Sequence, residues 1–231
     1  MSLAIFDLDD TLTFKDTESL WQSFLVEKNI LSKENFTEKT EYFKNTYMAG
    51  TLDFNEVVHF SMHTIHELSL EDQLDLQDEF INSVLRKNII PQAVELVTNH
   101  YEQGHTVLII SAGHEFLIKP AVKFFQIHDV ICTELHKKSC GAFSSSIKGL
   151  PVFREQKLIK LKEWLQYSGK KFSCSYFYSD SFNDLPLLEY VDIPVAVNPC
   201  PKLKVHAQTK GWTIMELKEI YFQDKQTFLK K

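Results

Sequence analysis

Arginine is almost missing from this chain: of 25 Lys and Arg residues only Arg86 and Arg154 are Arg. A design that clasps several carboxylates or phosphates in bidentate guanidinium forks is therefore not expected. Glycine and proline are also scarce, seven of each in 231 residues with 44% hydrophobic residues, a globular balance. Apolar runs such as Val107–Ile110 fall far short of the roughly 20 residues that cross a bilayer. The N-terminus lacks a basic region ahead of an apolar core, so no signal peptide is expected and the cytoplasm is the default location. The four cysteines have no CxxC spacing and no histidines at zinc-finger intervals, and read as reduced thiols. Acidic residues outnumber basic ones, 31 to 25, for a formal net charge of −6. Such a surface offers no general field for nucleic acid or an acidic membrane.

Short apolar runs that end in small or acidic residues are present. Leu3–Phe6 runs into Asp7-Leu8-Asp9-Asp10-Thr11, Thr106–Ile110 into Ser111-Ala112-Gly113, and Ser175–Tyr178 into Ser179-Asp180-Ser181; Ile193–Val197 is a fourth. Runs of this kind mark strands buried on both faces. Helical patterns over 115–126 and 153–167 alternate with the later runs, which predicts an α/β core built on a parallel sheet. Residues 15–88 differ. They contain no buried-strand signal and fit four amphipathic helices, roughly 17–28, 33–48, 55–68 and 70–86, with Ser69 placed to cap the last. The expected organisation is a catalytic core of 1–14 and 89–231 with a helical unit of 15–88 inserted after the first strand.

In an open parallel sheet, ligands bind beyond the carboxyl ends of the strands. Asp7, Asp9, Ser111, Asp180 and Asp184 should therefore share one crevice. Several carboxylates in one small space raise the cost of ionising each other and call for a cation, and a hard ion with oxygen ligands, Mg2+, suits them. Mg2+ held by few carboxylates keeps sites for water and a phosphate oxygen, which points to phosphoryl chemistry. Asp7 is the candidate nucleophile, forming an aspartyl-phosphate. Asp9, two residues on, is the candidate acid for the leaving alkoxide. Ser111 and the backbone N–H of Ala112 can donate to the phosphoryl oxygens.

The chain resembles the haloacid dehalogenase superfamily of aspartate-nucleophile phosphatases. Its first motif is similar to Ile5–Leu12, the second to Ile109–Gly113, the third to the Lys in Arg154–Leu158, and the fourth to Tyr178–Pro186. The resemblance implies a Rossmann-like core, Mg2+ held by the Asp7 carboxylate, the Asp9 carbonyl and Asp180, Lys157 beside the nucleophile, and Asn183 and Asp184 supporting the phosphate and metal. An insertion between the first two motifs implies a helical cap of the branch that includes phosphoserine phosphatase. Where those enzymes carry a Glu nine residues after the nucleophile to meet the substrate amine, this chain has Asp16. Their cap arginine, which meets the substrate carboxylate, has only Arg86 as a counterpart. The substrate is expected to be a small phosphate ester. The same residues would serve a phosphotransferase, and a non-catalytic phospholigand-binding module is the alternative of another class.

Trp21, Phe24 and Phe60 read as core of the helical unit, with Trp21 also a candidate for facing the substrate. His59, His63 and His66 share a helix face without acidic or Cys partners, which reads as an ordinary amphipathic helix. Residues 139–146 read as a surface hairpin without chemistry.

Overall fold

The computed structural model describes residues 1–217. Six parallel strands form the central sheet: β1 (Ser2–Phe6), β2 (Thr106–His114), β3 (Asp129–Thr133), β6 (Cys174–Ser179), β7 (Ile193–Val197) and β8 (Thr213–Met215), in the spatial order β3-β2-β1-β6-β7-β8. β1 is central, with Ile5 opposite Leu108 on one side and Phe177 on the other. The order runs one way from β1 through β2 and β3, and the other way from β6 to β8. The crevice at this reversal, beyond the ends of β1 and β6, is where a ligand is held in such sheets.

Alternation along β1 fills two cores. Ala4 and Phe6 face a layer with Val97, Val107, Ile109 and Phe116, whereas Leu3 and Ile5 face Leu161, Leu187 and Leu203. All of these side chains are buried, and each one larger than Ala4 contributes on the order of 1.5–3 kcal/mol of transfer free energy. The first layer includes α5 (Pro91–Glu102) and α6 (Glu115–Ala121); the second is built by α7 (Glu155–Ser168), α8 (Leu185–Leu188) and α9 (Pro201–Lys210).

Between β1 and α5 lie α1 (Thr17–Glu27), α2 (Lys33–Ala49), α3 (Phe54–Met62) and α4 (Leu70–Ser83). Their starts follow sequence chemistry: Asp16, Ser32, Asp53 and Ser69 each cap a helix by accepting a backbone N–H. The chain leaves and re-enters the sheet layer side by side. Thr13 bridges Ile89, the Phe14 N–H donates to the Asn88 carbonyl at 2.8 Å, and the Ile90 N–H to the Leu12 carbonyl at 3.0 Å. The hydrophobic layer is continuous across this junction: Trp21 packs on Phe24 and Phe80 of the helices and on Phe116 of α6.

Two expected helices end early. α3 stops at Met62 rather than 68, so His63 and His66 leave the helix; their rings stack at 4.8 Å and His66 Nε2 meets Glu67 at 2.6 Å. α4 stops at Ser83 and continues as a 3-10 turn, Leu85–Asn88. The segment 139–146 does form a hairpin, between β4 (Leu135–Lys137) and β5 (Phe143–Ile147), but it is not simply surface. Gln73 of α4 grips Phe143 by both backbone groups, at 2.8 and 3.0 Å.

Candidate active site

After Phe6 the chain tightens at once. The Leu8 carbonyl accepts the N–H groups of Thr11, Leu12 and Thr13, and Asp10 takes a left-handed conformation at φ 55°. This turn holds Asp7 at the strand end, where its N–H donates to the Tyr178 carbonyl at 2.9 Å. Lys157, from the first turns of α7, places its ammonium 2.7 Å from Asp7 Oδ1 and 2.7 Å from Asp184 Oδ2. Ser179 donates to the same Asp184 oxygen at 2.7 Å. All four side chains are buried.

Asp9 is held between two segments. Its Oδ1 accepts the Thr17 N–H at 2.7 Å, and its Oδ2 lies 3.4 Å from Ser111 Oγ, which itself accepts the Gly113 N–H at 3.1 Å. Pairing of β2 with β3 shifts register between Ile110 and His114, so residues 111–113 bend out of the ladder beside Asp9. The Ala112 carbonyl accepts from Thr133 at 2.7 Å. Asp180 exchanges contacts with Thr11: its N–H donates to the Thr11 hydroxyl at 3.1 Å, and that hydroxyl lies 3.3 Å from Asp180 Oδ1.

The electrostatics follow from this crowding. Burial pushes the Asp9 carboxyl up to about 7, and the charge of Asp16 adds to the effect. Asp10 is raised to about 7 by the same two causes. Burial also raises Asp7, with Asp184 and Asp9 pushing the same way and Lys157 opposing. Asp180 is raised well above its ordinary value by burial and by Asp7 and Asp10. Burial works against the Lys157 ammonium, but Asp184 and Asp7 outweigh it and raise its affinity for the proton. One ammonium thus stands among five neighbouring carboxyl groups, a set short of positive charge.

Asn183 donates to the Tyr47 carbonyl at 3.0 Å, and the Tyr47 hydroxyl donates to Ser181 at 3.1 Å. Tyr47 and Gly50, at the end of α2, therefore lie over the 181–183 loop, and Arg154 donates to the Gly50 carbonyl at 3.2 Å. A Cβ on Gly50, whose φ is 73°, would stand 3.0 Å from the Arg154 guanidinium.

The structure places the three residues expected to meet the substrate as follows. Arg86 is exposed, with its guanidinium 5.1 Å above the Phe124 ring. Trp21 is wholly buried among aromatic rings and packs rather than faces a ligand. Asp16 sits beside the site, but its carboxylate is engaged in capping α1, accepting the Ser19 N–H at 2.8 Å. Sequence reasoning assigned no role to Thr11, Tyr47, Glu18 or His114. Thr11 lies inside the first motif. The others meet partners distant in the chain and leave no periodic or spacing signal.

A family model described as haloacid dehalogenase-like hydrolase matches residues 4–189. The chain belongs to this family, and within it to the phosphatases. A curated relative named histidinol-phosphatase, from Neisseria meningitidis serogroup C (strain 8013), is 35% identical over 220 residues, covering 94% of this chain and 99% of the relative. A solved protein of unknown function from Bordetella pertussis Tohama I superposes with a TM-score of 0.85 at 32% identity, over 94% of this chain and 99% of the other. A phosphoserine phosphatase solved as a phospho-aspartyl intermediate analogue shares the fold, with a TM-score of 0.66 at 17% identity, covering 94% and 93% of the two chains.

Proposed function

We propose that the protein is a Mg2+-dependent phosphatase that hydrolyses a small phosphomonoester through an aspartyl-phosphate on Asp7. The observation that carries this reading is the buried Asp7–Lys157–Asp184 array at 2.7 Å beside Asp9, at the reversal of strand order. Lys157 draws negative charge away from the phosphoryl oxygens and fixes the Asp7 carboxylate for in-line attack. Ser111 and the N–H groups of the bent 111–113 segment supply hydrogen bonds to the equatorial oxygens. Asp9, raised to about 7 by burial, can carry a proton to the leaving oxygen and then take one from the attacking water.

Among the described residues no three His, Cys, Asp or Glu side chains form a ready metal cage. The donor set nevertheless fits Mg2+, which uses few protein ligands and keeps its waters: the Asp7 and Asp180 carboxylates and the Asp9 carbonyl would hold it, with Asp184 behind them. Bound there, it would supply the positive charge this cluster lacks and polarise the phosphoryl group.

The helices of residues 15–88 act as a cap in this reading, entering and leaving through the segments bridged at Thr13 and Ile89. A cap that covers the crevice admits a small ester and excludes water from the reaction. Histidinol phosphate is the substrate we assign, on the strength of the 35% identical histidinol-phosphatase. Phosphoserine is disfavoured because Arg86 stacks on Phe124 and Arg154 is engaged with Gly50, leaving no free guanidinium for its carboxylate. The cytoplasm is the proposed location, consistent with four free thiols. A phosphate-release screen over metabolite esters, with Mg2+ or chelator and with Asp7→Asn as the blank, tests the assignment; no release from any ester refutes it.

A further inference from the structure

The two segments that hold Asp9 place a second pair of residues at its side. Thr17 donates its N–H to Asp9 Oδ1, and the next residue is Glu18; Gly113 follows Ser111 at Asp9 Oδ2, and the next residue is His114. Glu18 Oε2 and His114 Nε2 meet at 3.0 Å, joining the first turn of α1 to the end of β2. The side chain of Glu18 keeps 17% of its surface exposed, whereas that of His114 keeps 1%. Glu18 is therefore the more accessible member of the pair.

The same wall concentrates unmet polar capacity. The ring nitrogens of His114 lack an aligned hydrogen bond despite the short approach to Glu18, and so do the Thr17 hydroxyl and the Trp21 indole N–H one turn along α1. These are four of the six buried side-chain polar atoms without a partner among the described residues, so this is the part of the molecule whose hydrogen bonding is least complete. Burial works to raise the Glu18 carboxyl, but the nearby His114 ring and hydrogen bonds from Ser61 and Gln22 bring it below its ordinary value. Glu18 thus presents an anion.

Because Asp9 must touch the leaving oxygen, the organic part of the ester begins at this wall. We infer that Glu18 is the specificity-determining residue of the site, accepting a cationic ammonium carried by the leaving alcohol, with His114 as its positioning residue. An ester of an amino alcohol fits such a wall. An amino-acid ester would bring its own carboxylate against Glu18 with no guanidinium to meet it, and is selected against. This inference rests on the phosphatase reading and adds to it the residue that chooses the substrate.

The test compares L-histidinol phosphate, which carries an ammonium, with p-nitrophenyl phosphate, which carries none. The ratio of their kcat/KM values is measured in wild type, Glu18→Gln and His114→Gln. Loss of a charge-assisted hydrogen bond is expected to lower the ratio about tenfold or more in Glu18→Gln, with a smaller fall in the same direction in His114→Gln. A ratio within about twofold of wild type in both variants overturns the inference. Binding gives a reading independent of turnover. In Asp7→Asn protein, calorimetry compares L-histidinol phosphate with inorganic phosphate; adding Glu18→Gln is expected to weaken the ester selectively, and equal weakening of both ligands overturns the assignment. Wild-type protein that hydrolyses neither ester would contradict the phosphatase reading, while the calorimetric comparison would still decide the role of Glu18.

Discussion

The Lys157 ammonium lies 2.7 Å from the Asp7 carboxylate, and both side chains are almost wholly buried. Since Asp184 shares that ammonium at the same distance, removing it leaves two buried carboxylates facing each other. Lys157→Met is expected to abolish phosphate release and to destabilise the fold by about 3–5 kcal/mol in the metal-free protein. Chemical denaturation without Mg2+ measures the second effect separately from the first.

Asp9 has no such ion pair, so its substitution separates chemistry from stability. Asp9→Asn keeps the acceptor for the Thr17 N–H but cannot transfer a proton. Its kcat is expected to fall about 10²- to 10⁴-fold. In kcat/KM, which reports formation of the aspartyl-phosphate, the loss should be smallest for esters of acidic alcohols such as p-nitrophenol, whose leaving oxygen needs no proton. An equal loss for all leaving groups would contradict the acid role.

Metal and pH are linked through the raised carboxyl groups. Folded Asp9 and Asp10 hold a proton up to about pH 7, whereas unfolded they release it near pH 4. Over that interval the folded state binds more protons, so these groups stabilise the metal-free protein at the acid end, and the contribution is lost as pH rises through about 7. Burial also raises Asp7 and Asp180, and Mg2+ would compete with protons for these two carboxylates. The rise in Tm caused by Mg2+ is therefore expected to grow between about pH 5 and pH 8, and a pH-independent rise would count against these carboxylates as the binding set.

Gly113 supports the bend of residues 111–113 sterically. A Cβ there would lie 2.6 Å from Ile118 Cδ1 and 2.9 Å from Cγ1, against a wholly buried side chain. Gly113→Ala is expected to destabilise by about 1–3 kcal/mol. Ile118→Val removes the nearer methyl and is expected to recover part of that loss in the double variant. Thermal denaturation of the four proteins measures the coupling.

How much of this was legible in the sequence depended on how local the signal was. Asp7, Asp9 and Asp180 end strands whose apolar runs are readable, so their convergence followed from the strand pattern. The strands β3 and β8 were missed: Asp129–Thr133 opens with an acidic residue, and Thr213–Met215 is only three residues long. Helix starts followed their caps closely, whereas α3 and α4 end where packing, not propensity, stops them. Trp21 was offered as a candidate for facing the substrate but is wholly buried, because periodicity marks a face without saying what covers it. Tyr47 meets Ser181 across 134 residues, and Glu18 meets His114 only once the sheet has assembled.

The central claim is that phosphate passes through Asp7. Acid quenching during turnover with Mg2+, followed by digestion and mass spectrometry, tests it directly. The account predicts one phosphoryl group on the peptide that contains Asp7, present in wild type, accumulating in Asp9→Asn and absent in Asp7→Asn. Continued phosphate release by Asp7→Asn, or turnover with no phosphoryl group on that peptide in any of the three proteins, would contradict it.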